Sequence, residues 1–337
     1  MEHTLAWWIG FNLFVLLLLA LDLGVFHRRA HEVSLREAII WSVVWVVVAL
    51  AFNLGILLGW FGGYEAAERG LRAKEFLAAY LVERALSIDN IFVFAVLFRY
   101  FAVAPEYQHR VLFLGILGAL ILRATMILAG IWLIERFEWV LYIFAVFLIY
   151  TGFKMIWVGD KEIDPGANPV LRFFRRVIPI SDHYHGQKFL VRVDGRLIAT
   201  PLLLVLLFVE TTDVVFALDS IPAVLLITTD AFIAYTSNVF AILGLRALYF
   251  ALVGFMKMFA YLSHGLAAVL IFVGGKMLYQ EASKLIFGEP HKIPIEVSLG
   301  VIGAILALAV VVSLIFGERS TGETSHAAAT AHAEHES

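Results

Sequence analysis

The chain has 337 residues and a net charge of -3, with 61% apolar and only 16% charged residues, against roughly 45–50% and 25% in ordinary globular domains. A bilayer span uses about 20 mostly apolar residues, so most of the chain is membrane, and the near-neutral charge excludes nucleic acid, whose phosphates demand clustered positive charge. There is no cysteine, which excludes disulfides, thiolate metal sites and cysteine nucleophiles and leaves any metal chemistry to oxygen and imidazole.

Apolar runs between charged interruptions predict an all-α polytopic membrane protein with about nine spans, at about 5–26, 36–60, 74–98, 110–134, 137–158, 198–227, 231–254, 257–287 and 294–316. The first run has no basic segment before it and no small-residue cleavage site after it, so it reads as a span and not a signal peptide. Asp22 stands near its end, as a capping or a pathway residue. The long connection 159–197 carries Asp182-His183-Tyr-His185, a metal candidate of low weight because paired loop histidines are usually solvated. Beyond it, two alternating stretches flank Asp194-Gly195, a strong hairpin signal. Segment 317–337 is Ala, Thr, Ser, Glu and His without apolar pattern and reads as a disordered tail, leaving 1–316 as one transmembrane domain. Alternate connections hold fifteen and seven Lys/Arg. The richer side reads as cytoplasmic, which puts the N-terminus outside and the C-terminus, the long connection and its hairpin inside.

Three pairs of segments match in the same order. Glu83–Ile91 lies over Asp213–Ile221 at an offset of 130, Leu122-Arg123-Ala124 over Leu245-Arg246-Ala247 at 123, and Gly152–Trp157 over Gly274–Tyr279 at 122. The repeat is therefore three spans, the third to fifth and the sixth to eighth, within about 74–158 and 198–287. An odd number of spans inverts the second copy, the construction of secondary transporters whose substrate site lies near the midplane.

Five acids fall inside two of these spans: Glu83 and Asp89, then Glu210, Asp213 and Asp219. An Asp at a helix centre costs roughly 2.5–3.5 kcal/mol even on the mild insertion scale, so the set must face a polar cavity, a cation or protons. Two intramembrane arginines, Arg123 and Arg246, are the available counter-charges and are too few for five acids. At 100° per residue Glu83, Ser87 and Asn90 share one stripe, and Glu210, Asp213 and Ser220 another, while Asp89 and Asp219 leave it. Pro222 predicts a helix break at Leu218-Asp219 that would turn Asp219 inward and free backbone carbonyls. Carboxylates, Asn and Ser oxygens make a hard site for Mg²⁺, Ca²⁺ or Mn²⁺. Asn238 on the seventh span is placed to complete it, and His264 is the deepest histidine.

The stretches Glu83-Arg-Ala-Leu-Ser-Ile-Asp-Asn-Ile-Phe-Val-Phe94, Glu210-Thr-Thr-Asp-Val-Val-Phe-Ala-Leu-Asp-Ser-Ile-Pro-Ala223 and Thr236-Ser-Asn-Val-Phe-Ala-Ile-Leu-Gly-Leu-Arg-Ala-Leu-Tyr249 resemble the TerC/Alx family of bacterial integral membrane proteins, as does Ser181-Asp-His-Tyr-His-Gly186. The resemblance extends to about residue 315. It implies a multi-pass protein of the bacterial inner membrane linked to manganese efflux, some members being named for tellurium resistance, and implies that Glu83, Asp89, Glu210, Asp213 and Asp219 carry metal. Taken together, these features lead to the expectation of a secondary exporter of a divalent cation, driven by protons or the membrane potential, with Mn²⁺ as transported substrate, no organic cofactor, and the ion and the lipid bilayer as the partners the sequence identifies. No nucleotide motif is present, which disfavours direct ATP drive. A Ca²⁺/H⁺ exchanger, and a non-transport assembly factor or intramembrane enzyme, remain the alternatives.

Overall fold

The computed structural model describes residues 5–21, 34–137, 139–158, 179–181, 183–193, 196–253, 261–287 and 293–316. Among them are ten helices and one hairpin, in the order α1 (Leu5–Leu21), α2 (Leu35–Leu58), α3 (Ala66–Tyr100), α4 (Pro105–Arg136), α5 (Val140–Val158), β1 (Leu190–Val193), β2 (Arg196–Ala199), α6 (Pro201–Leu225), α7 (Ala231–Leu243), α8 (Leu245–Val253), α9 (Leu262–Phe287) and α10 (Ile295–Phe316). Local chemistry marks several ends. Ser34 caps α2 by accepting from Glu37 N, and Gly59 closes it with φ 82° in the left-handed region. Proline opens α4 and α6 at Pro105 and Pro201, where its missing N–H costs nothing. Asp230 caps α7 by accepting from Ile233 N.

Among the described residues, seven segments are long and apolar enough to cross a bilayer: α2, α4, α5, α6, α7 with α8, α9 and α10. Two of the nine expected spans fall outside that measure. The described part of α1 has 17 residues. Helix α3 has 35 residues, about 52 Å of helix, but carries Glu83, Arg84 and Asp89 in its middle. It is also the hub of the bundle, packed by α2, α6, α7, α8, α9 and α10, so much of its surface meets protein and does not need to be apolar. An aromatic cluster of Phe11, Phe52, Phe76, Phe232 and Phe240 fastens α1, α2, α3 and α7 together.

Two expectations about helix breaks are corrected. Pro222 does not break α6, which is continuous from Pro201 to Leu225. The proline lies three residues from the end of the helix, so little remains beyond the missing bond to be disrupted, and Leu226 N still reaches Pro222 O at 3.0 Å. The expected seventh span instead divides at Gly244, between α7 and α8. Arg84 of α3 donates from Nη1 to Ala241 O at 3.0 Å there, and a Cβ on Gly244 would come within 2.5 Å of that nitrogen. Glycine leaves the room that lets a guanidinium replace a helical donor at the break.

Helices α5 and α9 meet along a seam of small residues. A Cβ on Gly152 would touch Ile271 Cγ1 at 2.6 Å and Ala267 O at 2.8 Å, and one on Gly274 would touch Ile149 Cγ1 at 2.9 Å and Ala145 O at 2.6 Å. The two sets are reciprocal: Gly152, Ile149 and Ala145 map onto Gly274, Ile271 and Ala267 at the same offset of 122. Each glycine thus faces the Ile and Ala one and two turns before the other, with the backbones close as small residues allow in lipid. Gly274→Ala is expected to cost about 1–3 kcal/mol by overpacking, read by unfolding in detergent. Gly275→Ala, whose Cβ would meet nothing within 4 Å, should be neutral or stabilising.

The hairpin pairs Leu190 with Ala199 through Val193 with Arg196, antiparallel, and its approach strand is tied down where α3 ends and α4 begins. Tyr184 donates its hydroxyl to Phe101 O at 2.6 Å, and Arg110 Nη1 donates to Gln187 O at 2.8 Å. The segment 317–337 lies outside the described residues.

Candidate functional site

Glu83 stands 17 residues from each end of α3, and Asp213 stands 12 residues from each end of α6. The two helices run in opposite directions past each other. Glu75 near the start of α3 accepts from Thr228 just beyond α6, while Ile91 and Phe98 near the end of α3 share a core with Leu202 and Val205 at the start of α6. The middle of one helix therefore meets the middle of the other, and the acids at both midpoints converge on α4.

Arg123 of α4 receives them. Its guanidinium is 2% exposed and forms a two-bond fork on Asp213, Nη2 to Oδ1 at 2.8 Å and Nε to Oδ2 at 3.3 Å. Its Nη1 forms an ion pair with Glu83 Oε1 and approaches Asn238 Oδ1 of α7 at 3.5 Å. Glu83 and Asn238 are 0% and 1% exposed, yet Glu83 Oε2 and Asn238 Nδ2 have no hydrogen-bond partner. Ser220, further along the inner stripe of α6, also buries a hydroxyl without a partner. Polar atoms buried this way are uncommon and mark a place for water or an ion. Glu210 is half-buried, its carboxylate lying where a Cβ on Gly118 of α4 would be.

Asp89 and Asp219 stand six residues past Glu83 and Asp213 and are half-buried, about 9 Å further along their helices. Asp219 accepts from Thr151 Oγ1 of α5 at 3.2 Å, away from Arg123, because α6 stays regular and six residues turn the side chain off the inner stripe. Ser87 is buried and spends its hydroxyl on Glu83 O at 2.8 Å; Asn90 is also buried. Arg246 lies on α8 and donates to His109 Nε2 of α4 at 2.7 Å. A small cavity of about 10 Å³, room for one water, is lined by Gly115, Ala119, Val209, Asp213 and Arg246. His183 and His185 are exposed, and His185 Nε2 is 2.9 Å from Ser181 Oγ. His264 sits exposed in the first turn of α9, not deep in a span. Asp22 and Asp182 lie outside the described residues.

Among the described residues, no three His, Asp or Glu side chains gather in a way that could hold a metal ion; the acids at the two helix midpoints instead share an arginine. Sequence reasoning passed over Arg84, whose role depends on a carbonyl 157 residues away, and His109, which sits between Gln108 and Arg110 in what reads as a solvated helix start. It also passed over a second polar group, at the end of the bundle where α3 starts. There Tyr64 donates to Asp230 Oδ1 at 3.1 Å, Arg72 Nη1 bonds Glu75 Oε2 at 2.9 Å, and Thr228 Oγ1 donates to the same Glu75 oxygen at 2.9 Å.

The sequence matches the family described as integral membrane protein TerC over residues 70–321. It is 49% identical over 308 residues to an uncharacterized membrane protein, STKORF319, of Myxococcus xanthus, covering 91% of this chain and 92% of that one. It is 46% identical over 309 residues to the putative membrane-bound redox modulator Alx of Salmonella typhi, covering 91% and 93%, and 44% identical over 310 residues to the Escherichia coli K12 protein of that description, covering 91% and 93%. No solved structure matches it at a significant level.

Proposed function

The chain belongs to the TerC family of multi-pass integral membrane proteins, and from that premise we propose that it is a secondary exporter of a divalent cation, with Mn²⁺ as its substrate, in a bacterial inner membrane. The observation that carries the reading is the meeting of Glu83 and Asp213 at the midpoints of two antiparallel helices, buried and equivalent in the internal repeat. A soluble-protein explanation is not open to them, since burying such acids in a bilayer is costly and is retained where a pathway needs it. The reciprocal α5–α9 seam supports a pair of inverted three-span units, α3–α5 and α6–α9, that rock about a fixed midplane site. The chemistry of the donors, carboxylates with Asn and Ser oxygens, suits a hard divalent ion.

In this reading Glu83 and Asp213 are the central ligands, Glu210 exchanges protons or adds a ligand beside them, and Asp89 and Asp219 are stations on the approaches from the two sides. Protons or the membrane potential supply the drive. The positive-inside count places the hairpin in the cytoplasm and the α6–α7 turn outside. The redox description carried by the relatives does not transfer as thiol chemistry, because this chain has no cysteine.

Flux measured in proteoliposomes with an entrapped Mn²⁺-quenched dye tests the reading. The parent protein is expected to carry Mn²⁺, with Ca²⁺ competing weakly, and Asp213→Asn is expected to abolish the flux while remaining folded. Equal rates for the variant and the parent would sink the site assignment, and faster Ca²⁺ than Mn²⁺ flux would replace the substrate.

A further inference from the structure

The midplane acids are not waiting for a cation; a tethered one already sits among them. We propose that Arg123 is a built-in competitor for the transported ion: its guanidinium occupies the cation position between Glu83 and Asp213, and a divalent ion loads only when the guanidinium is displaced. This inference rests on the proposed function and deepens it.

Three features of the site point this way. The first is what Arg123 touches. One fully buried guanidinium engages carboxylates from both repeats at once, Asp213 through a fork and Glu83 through an ion pair. Those are the two acids that the offset of 130 makes equivalent, so the arginine sits where a symmetric cation site would have its centre.

The second is incomplete satisfaction. A purely structural buried ion pair is stable only when its remaining polar atoms are also bonded. Here Glu83 Oε2 and Asn238 Nδ2 are left without partners although both residues are almost wholly enclosed. The guanidinium is planar and donates in one plane, whereas a divalent ion gathers oxygens from six or more directions. The unspent Glu83 oxygen, and the Asn238 Oδ1 that the guanidinium now approaches, are what such an ion would recruit; Asn238 Nδ2 is a donor and cannot ligate it.

The third is charge. Glu210 lies one turn before Asp213 on α6 and rests over Gly118 of α4, one to two turns before Arg123. Glu83, Glu210 and Asp213 outnumber Arg123 and Arg246, which lines the small cavity beside Asp213, so acid remains in excess even with Arg123 in place. An arriving divalent ion therefore meets a net attraction, yet must trade places with a cation that cannot diffuse away. Such exchange leaves Glu83 and Asp213 with a cation beside them in every state, so neither is bared to the membrane interior, and the returning guanidinium expels the ion. Affinity is sacrificed so that the ion can be released, which an exporter requires.

The test is Mn²⁺ binding to purified full-length protein, with MnCl₂ as the ligand and loss of its free-ion paramagnetic resonance signal as the readout. Arg123→Gln removes the competitor and is expected to bind Mn²⁺ at least about tenfold more tightly than the parent, while flux falls because release is lost. Arg123→Lys keeps a tethered charge and is expected to bind like the parent. Equal Mn²⁺ affinity in all three proteins, or weaker binding by Arg123→Gln, would overturn the proposal. Arg123→Gln strands two buried acids, so its thermal unfolding is followed as well: stabilisation by MnCl₂ well beyond that of the parent supports the proposal, and no such stabilisation refutes it. A parent that carries no divalent ion, beside an Arg123→Gln protein that binds Mn²⁺ tightly, would remove the exporter reading and leave the cation site standing. Normal flux by the parent with unchanged affinity in Arg123→Gln would do the reverse.

Discussion

Asp213→Ala is expected to lower stability by about 3–5 kcal/mol, the range for breaking a buried ion pair from one side, measured by denaturant or thermal unfolding in detergent. The cost comes from the partner left behind. Arg123 loses the acceptors of both Nε and Nη2 in a place where its guanidinium is 2% exposed and water can scarcely replace them. Glu83→Ala is expected to cost less, since Arg123 keeps its fork on Asp213 and loses only the contact of Nη1 with Glu83. Asp213→Asn should also cost less than alanine, because one oxygen remains to accept from the guanidinium while the charge that would bind a cation is gone. The asparagine variant therefore separates support of the bundle from transport: a folded protein without flux assigns the charge to the substrate. If Asp213→Ala were as stable as the parent, Arg123 would have another strong partner in its place.

The same residues show how far the sequence could be read. The inner stripes of α3 and α6 follow largely from the 3.6-residue period: Glu83, Ser87, Asn90, Asp213 and Ser220 are buried, whereas Glu210 on the same stripe is half-buried, like Asp89 and Asp219 six residues off. Composition marked most of the helices because lipid rewards apolar surface wherever a helix faces it. It described α3 least well, since that helix begins eight residues before the apolar run expected at 74 and carries charges along its length; its surroundings are mostly other helices, so its sequence does not report a lipid contact. Pro222 misled for a related reason. Proline removes one bond and crowds the carbonyl four residues before it, and α6 absorbs both within its last two turns. The break at Gly244 left hydropathy untouched, because its cause is Arg84 on another helix. Pairings across long separations, such as Arg123 with both acids, lie beyond any local pattern; the sequence supplied the candidates and the bundle chose between them.

Asp230→Ala is expected to lower stability by about 2–4 kcal/mol, the sum of a lost N-cap and a lost hydrogen bond to a charged acceptor. Asp230 joins three elements: Oδ1 accepts from Ile233 N at 3.0 Å and from the Tyr64 hydroxyl at 3.1 Å, and Oδ2 lies 3.8 Å from Arg72 Nε. The α2–α3 connection, the start of α3 and the start of α7 are thereby held to one carboxylate at the end of the bundle. Tyr64→Phe removes one of those bonds and should cost less than the alanine change. Burial, and then the charge and hydrogen bond of Asp230, push the Tyr64 hydroxyl well above the ordinary tyrosine value, so the native state holds it protonated. By linkage, a group whose pKa is raised on folding contributes in full below its unfolded value of about 10 and loses that contribution as pH rises further. Unfolding followed between pH 8 and 11, a range chosen to bracket about 10, should show the parent losing stability at the alkaline end. Tyr64→Phe should lose less over the same interval, and a parallel decline in both proteins would place the alkaline sensitivity elsewhere.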